Sequence, residues 1–150
     1  MPKKINFQFL ISYLGLIPYV LTFLDKYYFL IVKEEDLLNF VVYYSLIIIV
    51  FIGSINWNLK NNPPTHIVIY GFLPSLFAVI IIILSLLNIN ILIIFILIIL
   101  LLLTQLFFDY IILFANETKK QAFYYLRLPL TILIILFLSL IHISEPTRQD

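Results

Sequence analysis

Long apolar runs separated by short polar segments form the dominant pattern of this chain. A helix needs roughly 20 apolar residues to cross a bilayer. Five runs approach this length, at about 7–24, 37–59, 67–87, 91–115 and 124–143. The third and fourth runs are separated only by residues 88–90, Asn-Ile-Asn, which predicts a tight helical hairpin. We therefore predict an all-α fold: a single transmembrane domain over residues 1–141, built as a bundle of five helices.

Two of the connections have a distinctive composition. Residues 60–66 contain two prolines and two asparagines, which predicts a firm break between the second and third helices. Residues 25–36 hold the apolar stretch Tyr-Tyr-Phe-Leu-Ile-Val between charged residues. This stretch is too short to span a membrane, and we predict that it lies at the membrane interface.

The polar tail at 142–150 differs from the rest of the chain. Its sequence, His-Ile-Ser-Glu-Pro-Thr-Arg-Gln-Asp, is similar to translated sequencing-adaptor sequence. Two interpretations are open, an adaptor-derived artefact and a native polar tail. No role is therefore assigned to its residues.

Composition places the chain among integral membrane proteins. Of its 150 residues, 63% are hydrophobic and 11% are charged, whereas soluble domains are roughly half apolar and about a quarter charged. The net charge of +1 argues against a nucleic-acid partner. Cysteine is absent, which excludes disulfides and thiolate metal sites. Without a phosphate-binding loop or a nucleophile motif, the sequence predicts no enzyme activity, no metal and no cofactor.

The distribution of lysine and arginine predicts the orientation, because these residues are enriched in cytoplasmic segments. With a cytoplasmic N-terminus, the inner segments hold Lys3, Lys4, Lys60, Lys119, Lys120 and Arg127. The outer segments then hold Lys26, Lys33 and Arg148. We therefore predict that the N-terminus is cytoplasmic and the C-terminus is outside.

The end of the second run, residues 51–58, combines small, polar and aromatic residues. Gly53 permits close helix approach, and Asn56 and Trp57 follow within one turn. Asn56 could donate hydrogen bonds into a pocket. Alternatively, Trp57 belongs to an interfacial aromatic belt at a fraying helix end.

Asp109 lies inside the fourth run, where a carboxylate costs roughly 2.5–3.5 kcal/mol on insertion scales. It therefore needs a partner. Gln105 lies one helical turn earlier, and Arg127 begins the fifth helix at a similar predicted depth. The pair could form a proton or substrate site, or an ion pair that fixes the packing of the fourth and fifth helices. Tyr70, at the start of the third helix, is predicted to lie in the same cytoplasmic leaflet.

Short motifs along the chain together resemble a known family. In order, they are Gly15-Leu-Ile-Pro-Tyr19, Tyr44, Phe51-Ile-Gly53, Trp57, Leu73-Pro-Ser-Leu76, Asp109, Phe123, Leu126-Arg127 and Thr131. This series resembles the multi-pass family of domain of unknown function 3429, which includes transmembrane protein 69 of mitochondria. The resemblance covers roughly residues 10–140 and implies an inner-membrane protein of bacteria, with no mechanism attached.

The chain departs from the family pattern at several positions. The family usually has glycines where this chain has Ser45, Ser54 and Asn58, a basic residue at Asn56 and a tryptophan at Ala122. The change at Asn56 argues against a role there that requires a titratable group. With Thr131 added from the family motif, the candidate polar and packing site comprises Gly53, Asn56, Trp57, Tyr70, Gln105, Asp109, Arg127 and Thr131.

Two functional hypotheses follow. The first is a non-enzymatic structural or assembly partner of membrane complexes, in contact with the lipid bilayer and with other membrane proteins or a second copy of itself. The second is a small oligomeric transporter or proton-coupled carrier. In that protein, Gln105, Asp109 and the Asn56–Trp57 pair would line a half-channel open to the cytoplasm.

Overall fold

The described residues are almost entirely helical. A computed structural model of the protein describes residues 7–54, 64–113 and 123–143, and no strand occurs among them. The α-helices are α1 (Phe7–Leu14), α2 (Ile17–Leu24), α3 (Glu34–Ser54), α4 (Thr65–Leu86), α5 (Ile91–Leu113) and α6 (Leu128–Ile143). One π-helical turn, Asp25–Phe29, follows α2, and another, Phe123–Arg127, precedes α6. The all-α prediction is confirmed.

Four helices in the described part of the chain are long and apolar enough to cross a membrane. They are Glu34–Ser54, Thr65–Leu86, Ile91–Ile111 and Phe123–Ile141. Their exposed side chains are mostly large and hydrophobic, which in water would be an aggregation surface and in lipid is the expected exterior. The protein is therefore a membrane-embedded helical protein.

The first predicted span differs from the sequence-based expectation. Instead of one helix over 7–24, the chain forms two eight-residue helices, α1 and α2, with Gly15 and Leu16 between them. Pro18 explains the break, because its ring has no N–H and clashes with the carbonyl of Leu14, one turn earlier. The N–H groups of Gly15 and Leu16 instead bond to carbonyls three residues back. Neither helix alone reaches the length of a span.

The remaining boundaries shift by a few residues. The helix predicted from residue 37 begins at Glu34, because Glu34, Glu35 and Asp36 occupy its first turn and favour the positive end of the helix dipole. The predicted ends of the second and fourth helices, at 59 and 115, lie outside the described residues. Helix α6 reaches Ile143, so the first two residues of the 142–150 tail continue the helix.

The hairpin predicted between α4 and α5 is present. Asn88 adopts the left-handed conformation, with φ of 57°, which asparagine tolerates better than most residues. The N–H of Ile89 then bonds to the carbonyl of Leu84 at 3.2 Å and closes the end of α4. The Asn90 side chain accepts the Leu92 N–H at 2.9 Å and caps the start of α5.

The chain divides into two compact units. The first unit comprises Met1–Leu37 with Leu106–Asp150, and the second comprises Leu38–Gln105. The second unit has a core of aliphatic and aromatic side chains from α3, α4 and α5: Val41, Val42, Leu46, Ile49, Tyr70, Ala78, Ile81, Ile94, Phe95, Ile98 and Leu102. The prediction of a single domain over residues 1–141 stays a prediction.

The first unit packs the N-terminal segment along α6. Tyr19 is fully buried and stacks on Phe137 with ring centroids 6.3 Å apart, and Phe23 lies at the same distance from that ring. At one end, the Tyr13 hydroxyl donates to the Tyr125 carbonyl at 2.7 Å. Pro129, one turn after Tyr125, has no N–H to offer that carbonyl. The hydroxyl therefore supplies this carbonyl with a donor that Pro129 cannot.

At its other end, the N-terminal segment contacts the end of α6. Lys26 Nζ donates to the Ile141 carbonyl at 2.6 Å, and the Tyr27 hydroxyl donates to the Leu140 carbonyl at 3.1 Å. A cation at the C-terminal end of a helix is favourable, because the last carbonyls carry partial negative charge. Residue numbers rise together along both partners, so the N-terminal segment and α6 run parallel.

Candidate functional site

The second unit holds a close contact between α3 and α4. A Cβ added to Gly53 would lie 2.8 Å from Pro74 Cγ and 3.1 Å from the Gly71 carbonyl oxygen. The proline ring is rigid, and the carbonyl belongs to the α4 backbone. The structure thus has the close helix approach that glycine permits, and the buried Pro74 ring occupies the space that a larger residue would need.

Two hydrogen bonds connect α5 to the same helices. The Tyr70 hydroxyl, from α4, donates to the Gln105 carbonyl at 3.1 Å. The Gln105 side-chain amide donates to the Ile49 carbonyl of α3 at 2.9 Å. We call Gly53, Pro74, Tyr70, Gln105 and Ile49 the neutral site. Three helices meet there through neutral groups alone.

One atom of the neutral site is incompletely satisfied. Gln105 is buried, and its Oε1 has no hydrogen-bond partner among the described residues. A buried acceptor without a donor costs about 1–3 kcal/mol. The amide therefore both contributes a bond to α3 and carries a destabilising acceptor.

The first unit holds a charged site, formed by Asp109 of α5 and by Arg127, the last residue of the π-helical turn before α6. Arg127 Nε donates to Asp109 Oδ2. The side chains are 6% exposed for Asp109 and 14% exposed for Arg127. Each side chain neutralises the charge of the other, because either charge buried without a partner would be energetically costly. Arg127 Nη2 is buried without a hydrogen-bond partner in the described part of the chain.

Thr131 and two aromatic rings support the charged site. Thr131 is fully buried, and its hydroxyl donates to the Arg127 carbonyl at 2.9 Å, one turn earlier. The Tyr110 and Phe123 rings meet edge to face, with centroids 5.6 Å apart. The ring contact joins the end of α5 to the turn that carries Arg127, next to the ion pair.

The structure brings the candidate residues into two groups. Tyr70 and Gln105 contact one another in the neutral site, where Gly53 contacts α4, and Asp109, Arg127 and Thr131 form the charged site. Asn56 and Trp57 lie outside the described residues. Ser45 and Ser54 donate to carbonyls in their own helix at 2.7 Å.

Some partners could not be foreseen from side-chain type. The backbone carbonyls of Ile49, Tyr125 and Ile141 accept hydrogen bonds from polar side chains, and the side-chain types of these three residues do not indicate it. In the sequence, Lys26 contributes only to the charge distribution, and nothing there indicates its contact with α6. The packing of Pro74 against Gly53 likewise emerges only from the fold.

The described side chains of these two sites are connected by hydrogen bonds and an ion pair. Within residues 7–54, 64–113 and 123–143, no group of three or more acidic or histidine side chains could hold a metal ion. Asp109 and Arg127 form an ion pair with each other. Long apolar helices that make buried polar contacts within each unit are typical of an integral membrane protein.

Comparison with known families gives the chain a place within that class. The protein belongs to the family described as Protein of unknown function (DUF3429), whose family model matches residues 6–143. The family resemblance noted from the short motifs is thereby confirmed. No curated protein and no solved structure matches the chain.

Proposed function

We propose that the protein is a non-enzymatic structural or assembly partner of membrane complexes in the bacterial inner membrane. The observation that carries this proposal is the Asp109–Arg127 ion pair. A carboxylate held by an arginine connects the end of α5 to the turn that precedes α6. The neutral site supports the same role, because its bonds join helices to one another.

Site-specific photo-cross-linking tests this function. A photoreactive amino acid is placed at Phe72 or Phe107, both more than half exposed, and at the fully buried Tyr19 as the matched control. We expect the exposed positions to give one reproducible adduct with a membrane protein or a second copy, and Tyr19 to give none. A monomer without adducts at either exposed position contradicts the proposal.

The proposal includes five crossings with a cytoplasmic N-terminus. The five crossings are supported by the parallel alignment of the N-terminal segment with α6, because the first and fifth of five alternating spans run in the same direction. The orientation is supported by the distribution of lysine and arginine. The broken helix α1–α2 would then form the first crossing. Reporter fusions at residues 30 and 62 test the topology. Activity of a periplasm-dependent reporter at 62 but not at 30 would reverse the orientation.

A small transporter or proton-coupled carrier is the second candidate. The observation that favours it is that each site retains one buried polar atom without a partner in the described chain, Gln105 Oε1 in one and Arg127 Nη2 in the other. Proton flux into proteoliposomes, followed with a pH-sensitive dye, tests this candidate. Loss of flux in Asp109→Asn, with flux retained in the exposed control Asp36→Asn, would support it. Unchanged proton flux in Asp109→Asn would exclude Asp109 from a transport site.

A further inference from the structure

The connection between α2 and α3 carries the most exposed apolar residues of its unit. Six consecutive residues, Tyr27–Val32, are exposed, and the exposed fraction reaches 75% at Leu30 and 80% at Ile31. Charged residues lie on either side, with Asp25 and Lys26 before the stretch and Lys33 after it. An apolar tip between charged flanks is the composition of a segment that sits at the boundary of headgroups and acyl chains.

Asp25 satisfies the backbone of this loop. Its carbonyl accepts the Leu30 N–H at 2.7 Å. Its carboxylate accepts the N–H of Ile31 at 3.3 Å and that of Val32 at 3.1 Å. Three successive amides are therefore provided with acceptors from one residue. This matters in a water-poor environment, where an unsatisfied amide costs several kcal/mol.

Contacts with α6 fix the position of the loop. Lys26 bonds to the Ile141 carbonyl and pairs with Glu34 Oε1 at 2.8 Å, while Tyr27 bonds to the Leu140 carbonyl. Ile141 is the last residue of the candidate span Phe123–Ile141. The loop therefore lies beside the C-terminal end of that apolar span, whose bounds its length and composition define.

Leu30 adopts a conformation that its residue type disfavours. Its φ is 52°, in the left-handed region, which costs a residue with a Cβ roughly 1–2 kcal/mol. Asn88 adopts the same conformation in the α4–α5 hairpin, but asparagine is suited to it. At Leu30 this conformation ends the π-helical turn, and the bond from its N–H to the Asp25 carbonyl offsets part of the strain, while its apolar side chain remains exposed.

We propose that Tyr27–Val32 is a membrane-inserting loop, held in shape by Asp25. Its tip, Leu30 and Ile31, enters the boundary between phospholipid headgroups and acyl chains in the leaflet where α6 ends. The occupant of this surface is lipid, because the satisfied backbone and the position beside the end of the apolar span both suit that boundary. The loop gives the protein a second attachment to that leaflet, beside its spanning helices.

Tryptophan fluorescence tests this insertion. Trp57→Phe removes the single native tryptophan, and Leu30→Trp then places one fluorophore at the tip. The protein is reconstituted into phosphatidylcholine–phosphatidylglycerol vesicles containing lipids brominated near the headgroup end or near the middle of the acyl chains. Glu35→Trp, at an exposed position in the first turn of α3, is the matched control.

We expect strong quenching of Leu30→Trp by the shallow brominated lipid, and an iodide quenching constant several-fold below that of Glu35→Trp. Adding Asp25→Ala should raise iodide quenching of Leu30→Trp several-fold, because the loop loses its acceptors. Iodide access equal to that of Glu35→Trp would place the loop in water, and protection from both quenchers would mean that protein covers it. Either result overturns the proposal. If Leu30→Trp loses its helical circular dichroism, Ile31→Trp provides the same measurement.

Discussion

The charged site and the neutral site join helices by different chemistry. The charged site depends on two side chains that need each other, since either Asp109 or Arg127 alone would be a buried charge. The neutral site uses a hydroxyl and an amide that donate to backbone carbonyls, together with a glycine–proline contact. The ion pair is therefore sensitive to any single change, whereas the neutral site spreads its contribution over several small contacts.

The largest effect is expected at the charged site. Asp109→Asn leaves Arg127 without a counter-charge, and removing one partner of a buried pair costs roughly 3 kcal/mol or more. We expect a loss of that order in the free energy of unfolding, measured from helical circular dichroism during titration of a mild detergent with dodecyl sulfate. Asp36→Asn, the same change at an exposed position, should shift the transition only slightly.

Exchange of the two charges sharpens this prediction. The double variant Asp109→Arg with Arg127→Asp restores opposite charges and should recover part of the stability lost in Asp109→Asn. If neither Asp109→Arg alone nor Arg127→Asp alone alters the unfolding transition, the ion pair has no role in stability. The charged site would then not be more sensitive to single changes than the neutral site.

A smaller loss is expected at Gly53. Gly53→Ala places a Cβ 2.8 Å from the Pro74 ring, and overpacking of this kind costs about 1–3 kcal/mol. The higher helix propensity of alanine, worth up to about 1 kcal/mol, offsets part of it. We therefore expect a net loss of stability in the same detergent titration.

Two further variants control the Gly53 measurement. Ser54→Ala alters the next residue, which is exposed, and should have little effect. Pro74→Ala removes the ring that the new Cβ would meet. In that background, adding Gly53→Ala should therefore cause no further loss of stability. If Gly53→Ala causes the same loss of stability with Pro74 present and with Pro74→Ala, the contact with the proline ring is not the cause of that loss.

Tyr70→Phe tests a single bond of the neutral site. The hydroxyl donates to the Gln105 carbonyl, and one neutral hydrogen bond contributes about 0.5–1.5 kcal/mol. We expect a decrease of that size in the free energy of unfolding. Tyr28→Phe, which removes an exposed hydroxyl, should leave the transition unchanged; equal effects of the two variants would refute the assignment.

Gln105→Leu is expected to have the smallest net effect. The variant loses the bond to Ile49 but also removes the Oε1 acceptor that has no partner in the described chain. Losing the hydrogen bond destabilises the protein and removing the unsatisfied acceptor stabilises it. The two free-energy changes are of similar size, each of the order of 1 kcal/mol. Unchanged stability with loss of proteoliposome flux would favour the transport candidate, whereas a large destabilisation would contradict this balance.

Much of the helical architecture could be predicted, because apolar length and turn residues are local signals. The four long spans and the Asn88–Asn90 hairpin required nothing beyond the sequence pattern. The ion pair could also be anticipated, since a buried carboxylate needs a counter-charge and few were available. These features follow from the chemistry of single residues or of short segments.

Other features depend on packing and therefore escape a sequence pattern. Pro18 accompanies a break between two helices, but Pro74 lies within an uninterrupted one, where its ring packs against Gly53. The residue type is the same, and the outcome depends on its surroundings. Similarly, a backbone carbonyl such as that of Ile49 gives no sign in the sequence that a distant side chain will bond to it.

The bonds between the N-terminal segment and α6 have a consequence for biosynthesis. Tyr13 and Tyr125 are 112 residues apart in the chain, and Lys26 and Ile141 are 115 apart. The N-terminal segment therefore remains without these partners while more than 100 intervening residues are translated. Until α6 has been synthesised, Lys26 cannot bond to the Ile141 carbonyl. A nascent chain that stops before residue 123 therefore cannot complete the first unit.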